Sequence, residues 1–373
     1  MKYYLIAGEA SGDLHGSNLL KALKIQDKEA EFRFWGGDQM AEVAGQPVKH
    51  ISELAFMGFV EVVANLRTIL SNIKLCKNDI LSFQPDALIL IDYPGFNMRI
   101  AEFAKENGIA VHYYISPQVW AWKQNRVHKL KKTVDEMYCI LPFESDFYKK
   151  FDFDVQYVGH PLIDAIENYK STALSKKEFV ANYDLDNRPI LALLPGSRKQ
   201  EIKIKLPIML EAAKQMKEHQ ILIAGAPTIS AEFYKEISQG TTIKVIPNKT
   251  YDLLNNADLA MVTSGTATLE TALFKVPQVV CYKGNSISYH IAKRLIKVNY
   301  ISLVNLIMDK EIVKELIQNE LTPENILQEL KNFTPEKRAE IQSQYEELRS
   351  KLGGGGASEK LASLLIDNLG KKE

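Results

Sequence analysis

The sequence contains few cysteines and lacks the spacings that bind metal ions. Cys76, Cys139 and Cys281 are far apart, and the seven histidines are scattered, with no HxxxH or HExxH motif. These absences argue against a disulfide framework and against a zinc site. We therefore expect no metal and no other cofactor.

The sequence also has no excess of either charge and no long apolar run. Lysine and arginine together number 46, as do aspartate and glutamate. This balance argues against a protein built mainly to bind nucleic acid, although it allows a local basic patch. No run of about 18 apolar residues predicts a membrane-spanning helix. The opening MKYYLIAGEASGD is unlike a signal peptide, because its short apolar run meets Glu9 at once. A cytoplasmic protein is expected, unless the chain lies on a membrane surface.

What the sequence does contain is a regular alternation of short apolar segments with longer amphipathic ones. Several of the short segments are apolar without alternation, which is typical of strands buried on both faces of a parallel sheet. The predicted strands are Tyr3–Ala7, Phe32–Trp35, Ala87–Ile91, Ala110–Ile115, Glu136–Ile140, Val155–Val158, Ile190–Leu194, Gln220–Ala224, Thr242–Ile246, Leu259–Val262 and Gln278–Tyr282. This pattern predicts a doubly wound α/β fold, and the length of 373 residues favours two domains.

The series of strands restarts at Ile190, after a polar stretch over residues 168–188. We therefore expect an N-terminal domain at 1–168 and a C-terminal domain at 169–345, both Rossmann-like, with a ligand-binding cleft between them. The run Gly353–Gly356 predicts a flexible break. Within the last segment, at 346–373, Ser358–Leu369 predicts a short amphipathic helix.

A glycine-rich turn follows the first predicted strand. Gly8, Gly12 and Gly16 allow a sharp turn, and the next helix offers free N–H groups to an anion. The turn also holds four polar side chains, which are costly there unless they are solvated or used: Glu9, Ser11, Asp13 and His15. A tight turn without a ligand is the alternative interpretation.

A second candidate loop is LLPGSR, where a strand ends and a helix follows. The backbone N–H groups of Gly196 and Ser197 suit a diphosphate, and the Arg198 guanidinium can bind phosphate oxygens with two hydrogen bonds. A solvated arginine on an ordinary loop is the alternative.

A third candidate loop, Thr263–Ala267, again joins a strand to a helix and includes Ser264, Gly265 and Thr266. Glu270, one turn into that helix, suits the two hydroxyls of a ribose. The alternative is a carboxylate favoured by the helix dipole. Two anion-binding loops in one domain support each other.

Asp92 ends a strongly apolar strand beside the Pro94–Gly95 turn. A partly desolvated carboxylate there can act as a general base, or it can simply cap the next helix.

Two segments are candidates for ligands of different kinds: the first, tryptophan-rich and basic, suits a phosphate, a sugar or anionic lipid headgroups, and the second, apolar, suits acyl chains or a membrane. Trp120 and Trp122 precede a basic segment that contains Arg126 and Lys129, and apolar residues are dense over 53–70. A solvated basic helix and a segment buried in its own domain are the alternatives.

Together these segments resemble the lipid-A-disaccharide synthases of Gram-negative bacteria, which are glycosyltransferases of the GT-B fold. The resemblance covers nearly the whole chain, and the order of its blocks is highly specific. The blocks are GEASGD (Gly8–Asp13), MGFVEV (Met57–Val62), SPQVWAW (Ser116–Trp122), PFE (Pro142–Glu144), VGHPL (Val158–Leu162), LLPGSR with Glu201, and SGTATLE (Ser264–Glu270).

The resemblance implies an α/β protein of GT-B type, with two Rossmann-like doubly wound domains facing a central cleft. It implies a hexosyltransferase that moves 2,3-diacylglucosamine from its UDP donor to 2,3-diacylglucosamine 1-phosphate. The products are the β-1,6-linked disaccharide 1-phosphate and UDP. The anomeric centre inverts in a single displacement, and no metal is needed.

The resemblance also implies roles for individual residues. Asp92 matches the catalytic carboxylate, which would deprotonate the acceptor 6-hydroxyl. Glu9 and Asp13 are the other catalytic candidates and, with Ser11, would face the cleft. The residues assigned to the UDP-sugar donor are Ser197, Arg198, Glu201, Ser264, Gly265, Thr266, Glu270 and Asn305. Val304 stands where the family usually has proline.

Diacylated sugars lie in a bilayer, so the resemblance implies peripheral contact with the inner membrane. The candidates for acceptor or membrane contact are Ser11, Phe56, Met57, Phe59, Trp120, Arg126 and Lys129. The last helix is expected to cross back to the N-terminal domain. A homodimer is allowed, and no nucleic-acid partner is expected.

Two rival functions share the predicted nucleotide-binding half. One is another UDP-sugar enzyme of the GT-B fold, such as a 2-epimerase or a cell-wall precursor glycosyltransferase, because fold alone does not fix the reaction. The other is a non-catalytic UDP-sugar-binding regulator, which would not need Asp92. The blocks GEASGD and SPQVWAW favour lipid A synthesis over both.

Overall fold

The computed structural model describes residues 1–54, 66–227, 229–238, 243–284 and 298–370. The chain divides into two compact units, which we call unit 1 (residues 1–161 and 354–373) and unit 2 (residues 162–353). The predicted apolar candidates Phe56, Met57 and Phe59 lie outside the described residues.

Unit 1 contains a parallel sheet of seven strands. These are β1 (Lys2–Ala7), β2 (Glu31–Gly36), β3 (Lys49–His50), β4 (Ala87–Ile91), β5 (Ala110–Tyr114), β6 (Glu136–Cys139) and β7 (Gln156–Tyr157). Its helices include α1 (Ala10–Gln26), α2 (Asp38–Ala44), α3 (Leu66–Phe83), α4 (Pro94–Glu106), α5 (Val127–Thr133) and α6 (Glu144–Lys149), with short 3₁₀ turns at Ile51–Glu53 and Gln124–Arg126.

The central strands β1 and β4 are apolar and buried along almost their whole length because both faces of the sheet are covered. Tyr4 and Ile6 of β1 belong to one buried cluster, whereas Tyr3 and Leu5 belong to the other. Successive side chains of a strand point to opposite faces, so each face has its own core.

The strand order of unit 1 is β3-β2-β1-β4-β5-β6-β7. The order reverses between β1 and β4, which are hydrogen-bonded neighbours with Ala7 opposite Ile91. In doubly wound sheets, ligands bind beyond the carboxyl ends of the strands at this reversal point. The loops that follow Ala7 and Ile91 therefore mark the expected site of unit 1.

Unit 2 contains a parallel sheet of six strands. These are β8 (Ile190–Leu194), β9 (Gln220–Gly225), β10 (Lys244–Pro247), β11 (Leu259–Thr263), β12 (Gln278–Tyr282) and β13 (Lys314–Ile317). Its helices include α7 (Pro161–Lys170), α8 (Lys176–Asn182), α9 (Lys199–Ala213), α10 (Ala231–Ile237), α11 (Thr250–Asn256), α12 (Thr266–Leu273), α13 (Leu303–Met308), α14 (Pro323–Lys331) and α15 (Pro335–Leu352), with a 3₁₀ turn at Gln318–Glu320.

The second sheet repeats the order of the first, as β10-β9-β8-β11-β12-β13. Here the reversal point lies between β8 and β11, where Leu194 is opposite Val262. The prediction of an α/β fold with two Rossmann-like parallel sheets is confirmed. The sequence analysis missed the strands β3 and β13.

The last helix, α16 (Ala357–Gly370), belongs to unit 1 although it follows the whole of unit 2 in the chain. Leu361 and Leu365 are buried in the same cluster as Leu19 and Leu23 of α1. The Lys360 ammonium also donates a hydrogen bond to the carbonyl oxygen of Tyr157, at 2.8 Å. Within the described ranges, no helix is both long enough and apolar enough to cross a bilayer.

Candidate functional site

Asp92 follows β4 at the reversal point of the unit 1 sheet. Asp92 and Tyr93 both have left-handed backbones, with φ of 45° and 50°. Such conformations are costly for residues other than glycine and persist only where the surroundings hold them. Two buried side chains do so here: Asn97 Nδ2 and the Tyr113 hydroxyl donate hydrogen bonds to the carbonyl oxygen of Asp92, at 2.8 and 2.7 Å.

Gly8 allows the turn after β1 to pack against this bend. A Cβ added to Gly8 would lie only 2.3 Å from Cγ of the Tyr93 ring. Any larger residue would displace the ring and with it the bend that carries Asp92. The role of Gly8 here is close packing against Tyr93, and it places Glu9 in the turn beside the Asp92 bend.

The charge of Glu9 acts on Asp92. Burial and, to a smaller extent, the negative charge of Glu9 together raise the pKa of the half-buried Asp92 to about 6. Burial also raises the pKa of Tyr93, again with a contribution from Glu9. A carboxylate with a pKa close to physiological pH can accept a proton from a bound hydroxyl and release it again.

The other polar residues of the opening turn have different environments. Asp13 is buried, and its carboxylate accepts hydrogen bonds from the backbone N–H groups of Gly37 at 2.7 Å, Met40 at 3.1 Å and Gln39 at 3.1 Å. It thereby anchors the start of α2 to α1. Ser11, by contrast, is exposed in the first turn of α1.

The SPQVWAW and PFE blocks meet at the buried carboxylate of Glu144. One of its oxygens accepts from the Ser116 hydroxyl at 2.6 Å and from Trp120 Nε1 at 3.2 Å. The other accepts from the backbone N–H of Leu141 at 3.0 Å. Burial raises the pKa of Glu144 to about 7, against these hydrogen bonds, which lower it. Glu144 therefore ties the loop after β5 to the loop after β6.

Because of this bond, the accessible tryptophan is Trp122 rather than Trp120. Trp120 is 7% exposed and Trp122 is 42% exposed. Lys123 Nζ lies 4.3 Å from the centre of the Trp122 ring, and the Arg126 guanidinium lies 5.8 Å from it. Lys129, in α5, forms an ion pair with Glu102 at 2.8 Å.

In unit 2, the two predicted anion-binding loops follow the neighbouring strands β8 and β11. Ser197 and Arg198 are exposed and immediately precede α9. Gly196 has φ of 118° and Gly265, before α12, has φ of 144°, so both positions favour glycine. The structure therefore brings both loops to the carboxyl edge of the sheet at its reversal point, with helix N-termini beside them.

Glu201 lies beneath the first of these loops. A Cβ on Gly196 would lie 2.5 Å from Glu201 Oε2, so the loop packs directly on this carboxylate. The other oxygen of Glu201 is 3.6 Å from the Arg198 guanidinium. Lys205, only 2% exposed, lies 3.8 Å from Oε2, and burial lowers the pKa of this lysine. Glu201 is thus placed to orient Arg198.

Glu270 is held by Tyr251, a residue that the sequence analysis did not identify. The Tyr251 hydroxyl donates to Glu270 Oε1 at 3.2 Å, and burial raises the pKa of Glu270. Tyr251 packs edge-on against Tyr169 and lies 5.3 Å from the Phe274 ring, centre to centre. Sequence alone gave no signal for Tyr251, since it lies in α11, two elements before Glu270.

Asn305 is fully buried in α13, and both ends of its amide are bonded within the protein. Its Nδ2 donates to Glu315 at 2.9 Å and to the carbonyl oxygen of Val313 at 2.8 Å. Its Oδ1 accepts from the backbone N–H groups of Ile312 and Val313. Val304, beside it, is also buried. Across the described parts of the chain, no three acidic, histidine or cysteine residues are grouped as metal ligands would be.

Comparison with known proteins identifies the family. The chain matches the family model described as lipid-A-disaccharide synthetase over residues 3–366. It is 40% identical to the lipid-A-disaccharide synthase of Geobacter metallireducens, over 99% of this chain and 97% of that protein. It is 39% identical to that of Nitrosococcus oceani, over 98% and 97%. This chain belongs to the lipid-A-disaccharide synthase family. The resemblance noted from the sequence is confirmed.

Solved structures show how widely the fold of this lipid-A-disaccharide synthase family member is shared. UDP-GlcNAc 2-epimerase from Neisseria meningitidis, bound to UDP-GlcNAc, is similar with a TM-score of 0.68 at 14% identity, over 98% of this chain and 100% of that one. The glycotransferase of kitacinnamycin is similar with a TM-score of 0.64 at 12% identity, over 99% of both chains. At such low identity the likeness concerns the fold alone, whereas the family match does not favour the epimerase and regulator alternatives.

Proposed function

We propose that this protein is a hexosyltransferase that moves 2,3-diacylglucosamine from UDP to 2,3-diacylglucosamine 1-phosphate. The products are the β-1,6-linked disaccharide 1-phosphate and UDP. Besides the family match, one observation carries the proposal. The reversal point of one sheet bears a carboxylate with a raised pKa, and that of the other bears two loops suited to phosphates.

Asp92 is the proposed general base. It takes the proton of the acceptor 6-hydroxyl while that oxygen attacks the anomeric carbon of the donor sugar. The bond from this carbon to the UDP oxygen breaks on the opposite side, so the α-linked donor gives a β-linked product in one step. Glu9 tunes Asp92 through its charge. Asp13, whose carboxylate is occupied by three backbone N–H groups, acts as support for the turn.

The loops of unit 2 are the proposed donor site. The negative charge that develops on the leaving UDP is stabilised by the backbone N–H groups of Gly196 and Ser197 and by the Arg198 guanidinium. Glu201 orients Arg198 from beneath the loop. The loop of Ser264, Gly265 and Thr266 completes the phosphate site, and Glu270 takes the ribose hydroxyls, with Tyr251 holding its carboxylate.

The domain roles follow from this assignment. We assign acceptor binding to an N-terminal domain at 1–168, donor binding to a C-terminal domain at 169–345, and completion of the N-terminal domain to the segment at 346–373.

Peripheral contact with the inner membrane is part of the proposal, since both substrates carry acyl chains. Exposed leucines, Leu66 and Leu70, lie one turn apart at the start of α3, with exposed Arg67 and Lys74 nearby. Apolar side chains flanked by cations suit an anionic bilayer surface. We expect the double variant Leu66→Ser/Leu70→Ser to co-sediment less with anionic vesicles. Unchanged co-sedimentation would contradict the contact. Light scattering would show whether the protein forms a homodimer.

The activity is tested by incubating the protein in detergent with UDP-2,3-diacylglucosamine and the monosaccharide 1-phosphate. We expect mass spectrometry to detect UDP and a disaccharide 1-phosphate. The mass of this product should equal the masses of donor and acceptor together, less the mass of UDP. A matched reaction with UDP-GlcNAc alone should give no epimer. UDP binding without any turnover would instead favour a binding protein.

A further inference from the structure

Glu315 is a buried charged side chain that the proposed reaction does not use. It lies on β13 and is 7% exposed. A buried carboxylate is costly unless donors surround it. Glu315 accepts from the backbone N–H of Ile301 at 2.9 Å, and from both the backbone N–H and the hydroxyl of Ser302 at 2.9 and 2.7 Å.

Asn305 fixes this carboxylate from the other side. Its Nδ2 donates to the same oxygen that accepts from Ser302. The amide is itself held by the backbone around Val313, so it cannot rotate without breaking several buried hydrogen bonds. These hydrogen bonds therefore fix the orientation of the Glu315 carboxylate. They also fix the backbone of the short segment Ile301–Ser302, which donates to it.

This segment is connected to the proposed donor loop. The Ser264 hydroxyl donates to the carbonyl oxygen of Ile301 at 2.9 Å. Ile301 thus has its N–H on Glu315 and its carbonyl on Ser264. Ser264 is followed by Gly265, which has φ of 144°. Because glycine has no side chain, this residue does not itself restrain the loop.

We propose that Glu315 is a positioning residue for donor binding. Through Ile301 it fixes the Ser264 hydroxyl, and thereby the direction in which the loop of residues 264–266 presents its N–H groups to the diphosphate. This inference rests on the proposed donor role of that loop. Asn305 then contributes to donor binding by holding Glu315.

A double-mutant cycle on UDP affinity, measured by calorimetry, tests the connection. Ser264→Ala removes the link and Glu315→Gln removes the charge that orders the segment. We expect each variant to bind UDP about fivefold or more weakly, which is the worth of one hydrogen bond. The double variant should bind within about twofold of the weaker single variant, because both changes break one connection. Effects that multiply would overturn the inference.

Two further variants keep the result interpretable. Ser238→Ala removes a different hydroxyl-to-carbonyl bond of unit 2, to Tyr234 at 2.8 Å, and should lower Tm without changing UDP affinity. Equal loss of affinity in this variant would show a general loss of stability and overturn the inference. If Glu315→Gln does not fold, Ser302→Ala takes its place in the cycle. A wild type that does not bind UDP would overturn the proposed function itself.

Discussion

The two sheets of this protein share one strand order over six strands. The residues at their reversal points, however, differ in charge. Beyond β1 and β4, the reversal point of unit 1 carries Glu9 and Asp92. Beyond β8 and β11, that of unit 2 carries Arg198 and a loop that begins at Ser264. Topology thus determines where each half has its site, and the loop residues determine what the site does.

The largest expected effect comes from Asp92→Asn, which removes the proposed base and changes unit 1 alone. We expect kcat to fall by about 10²- to 10⁴-fold, as when a general base is lost, with UDP affinity unchanged. Burial raises the pKa of Asp92 to about 6, so the fold disfavours its charged form, and the variant should raise Tm near pH 8 but not near pH 4. Asp154→Asn, at an exposed site of the same unit, is the control. Normal turnover would show that unit 1 does not supply the base.

The second largest expected effect is a loss of UDP affinity from a change in unit 2 alone. Arg198→Ala should weaken UDP binding by about 10- to 100-fold, because charge-assisted hydrogen bonds to phosphate are lost. Arg188→Ala, which removes an exposed arginine paired with Asp186, should leave UDP affinity unchanged. If both variants behave alike in titrations with UDP, the loop is not a specific phosphate site.

Gly8→Ala tests whether the Tyr93 bend needs close packing. The added Cβ would overlap the Tyr93 ring, so we expect a loss of about 1–3 kcal/mol of unfolding free energy and a lower kcat. Ala substituted at Gly95, where an added Cβ has open space, is the matched control. Chemical denaturation of both variants measures the difference. A Gly8→Ala protein as stable and as active as wild type would contradict the packing argument.

The smallest effect is on pH dependence. The activity should fall as pH drops through about 6, because Asp92 becomes protonated and cannot act as a base. The charge of Glu9 raises this pKa, so Glu9→Gln should move the acidic limb of kcat/KM to lower pH and leave the high-pH plateau in place. A limb that does not move, or that moves to higher pH, would mean that Glu9 does not act on the base through its charge.

The sequence predicted most of the fold because the central strands are strongly apolar. The strands it missed are two-residue β3 and β13, whose Lys314 and Glu315 interrupt the apolar pattern. Both lie at sheet edges, where one neighbour is absent and less apolar surface is needed. Prediction from the apolar pattern therefore fails for strands whose formation depends on tertiary contacts.

For the candidate site, the sequence indicated the position of a loop residue such as Arg198, at a strand end before a helix, but not the contacts that depend on distant partners. Trp120 and Trp122 look equivalent in sequence, but contacts with Glu144 and Phe143, further along the chain, accompany the burial of Trp120, whereas Trp122 is exposed. Asn305 was expected to contact the donor, and the structure shows its amide bonded to Glu315 and the backbone. The contact itself stays a prediction.

The position of α16 has a consequence for how this chain matures. Unit 1 is built from residues on both sides of unit 2 in the chain, since α16 packs on α1. Unit 2 emerges as a continuous segment and can fold as it appears. Unit 1, with Asp92 in it, has part of its core uncovered until α16 has been made. A nascent or prematurely terminated chain that lacks α16 would therefore contain a complete unit 2 and an incomplete unit 1.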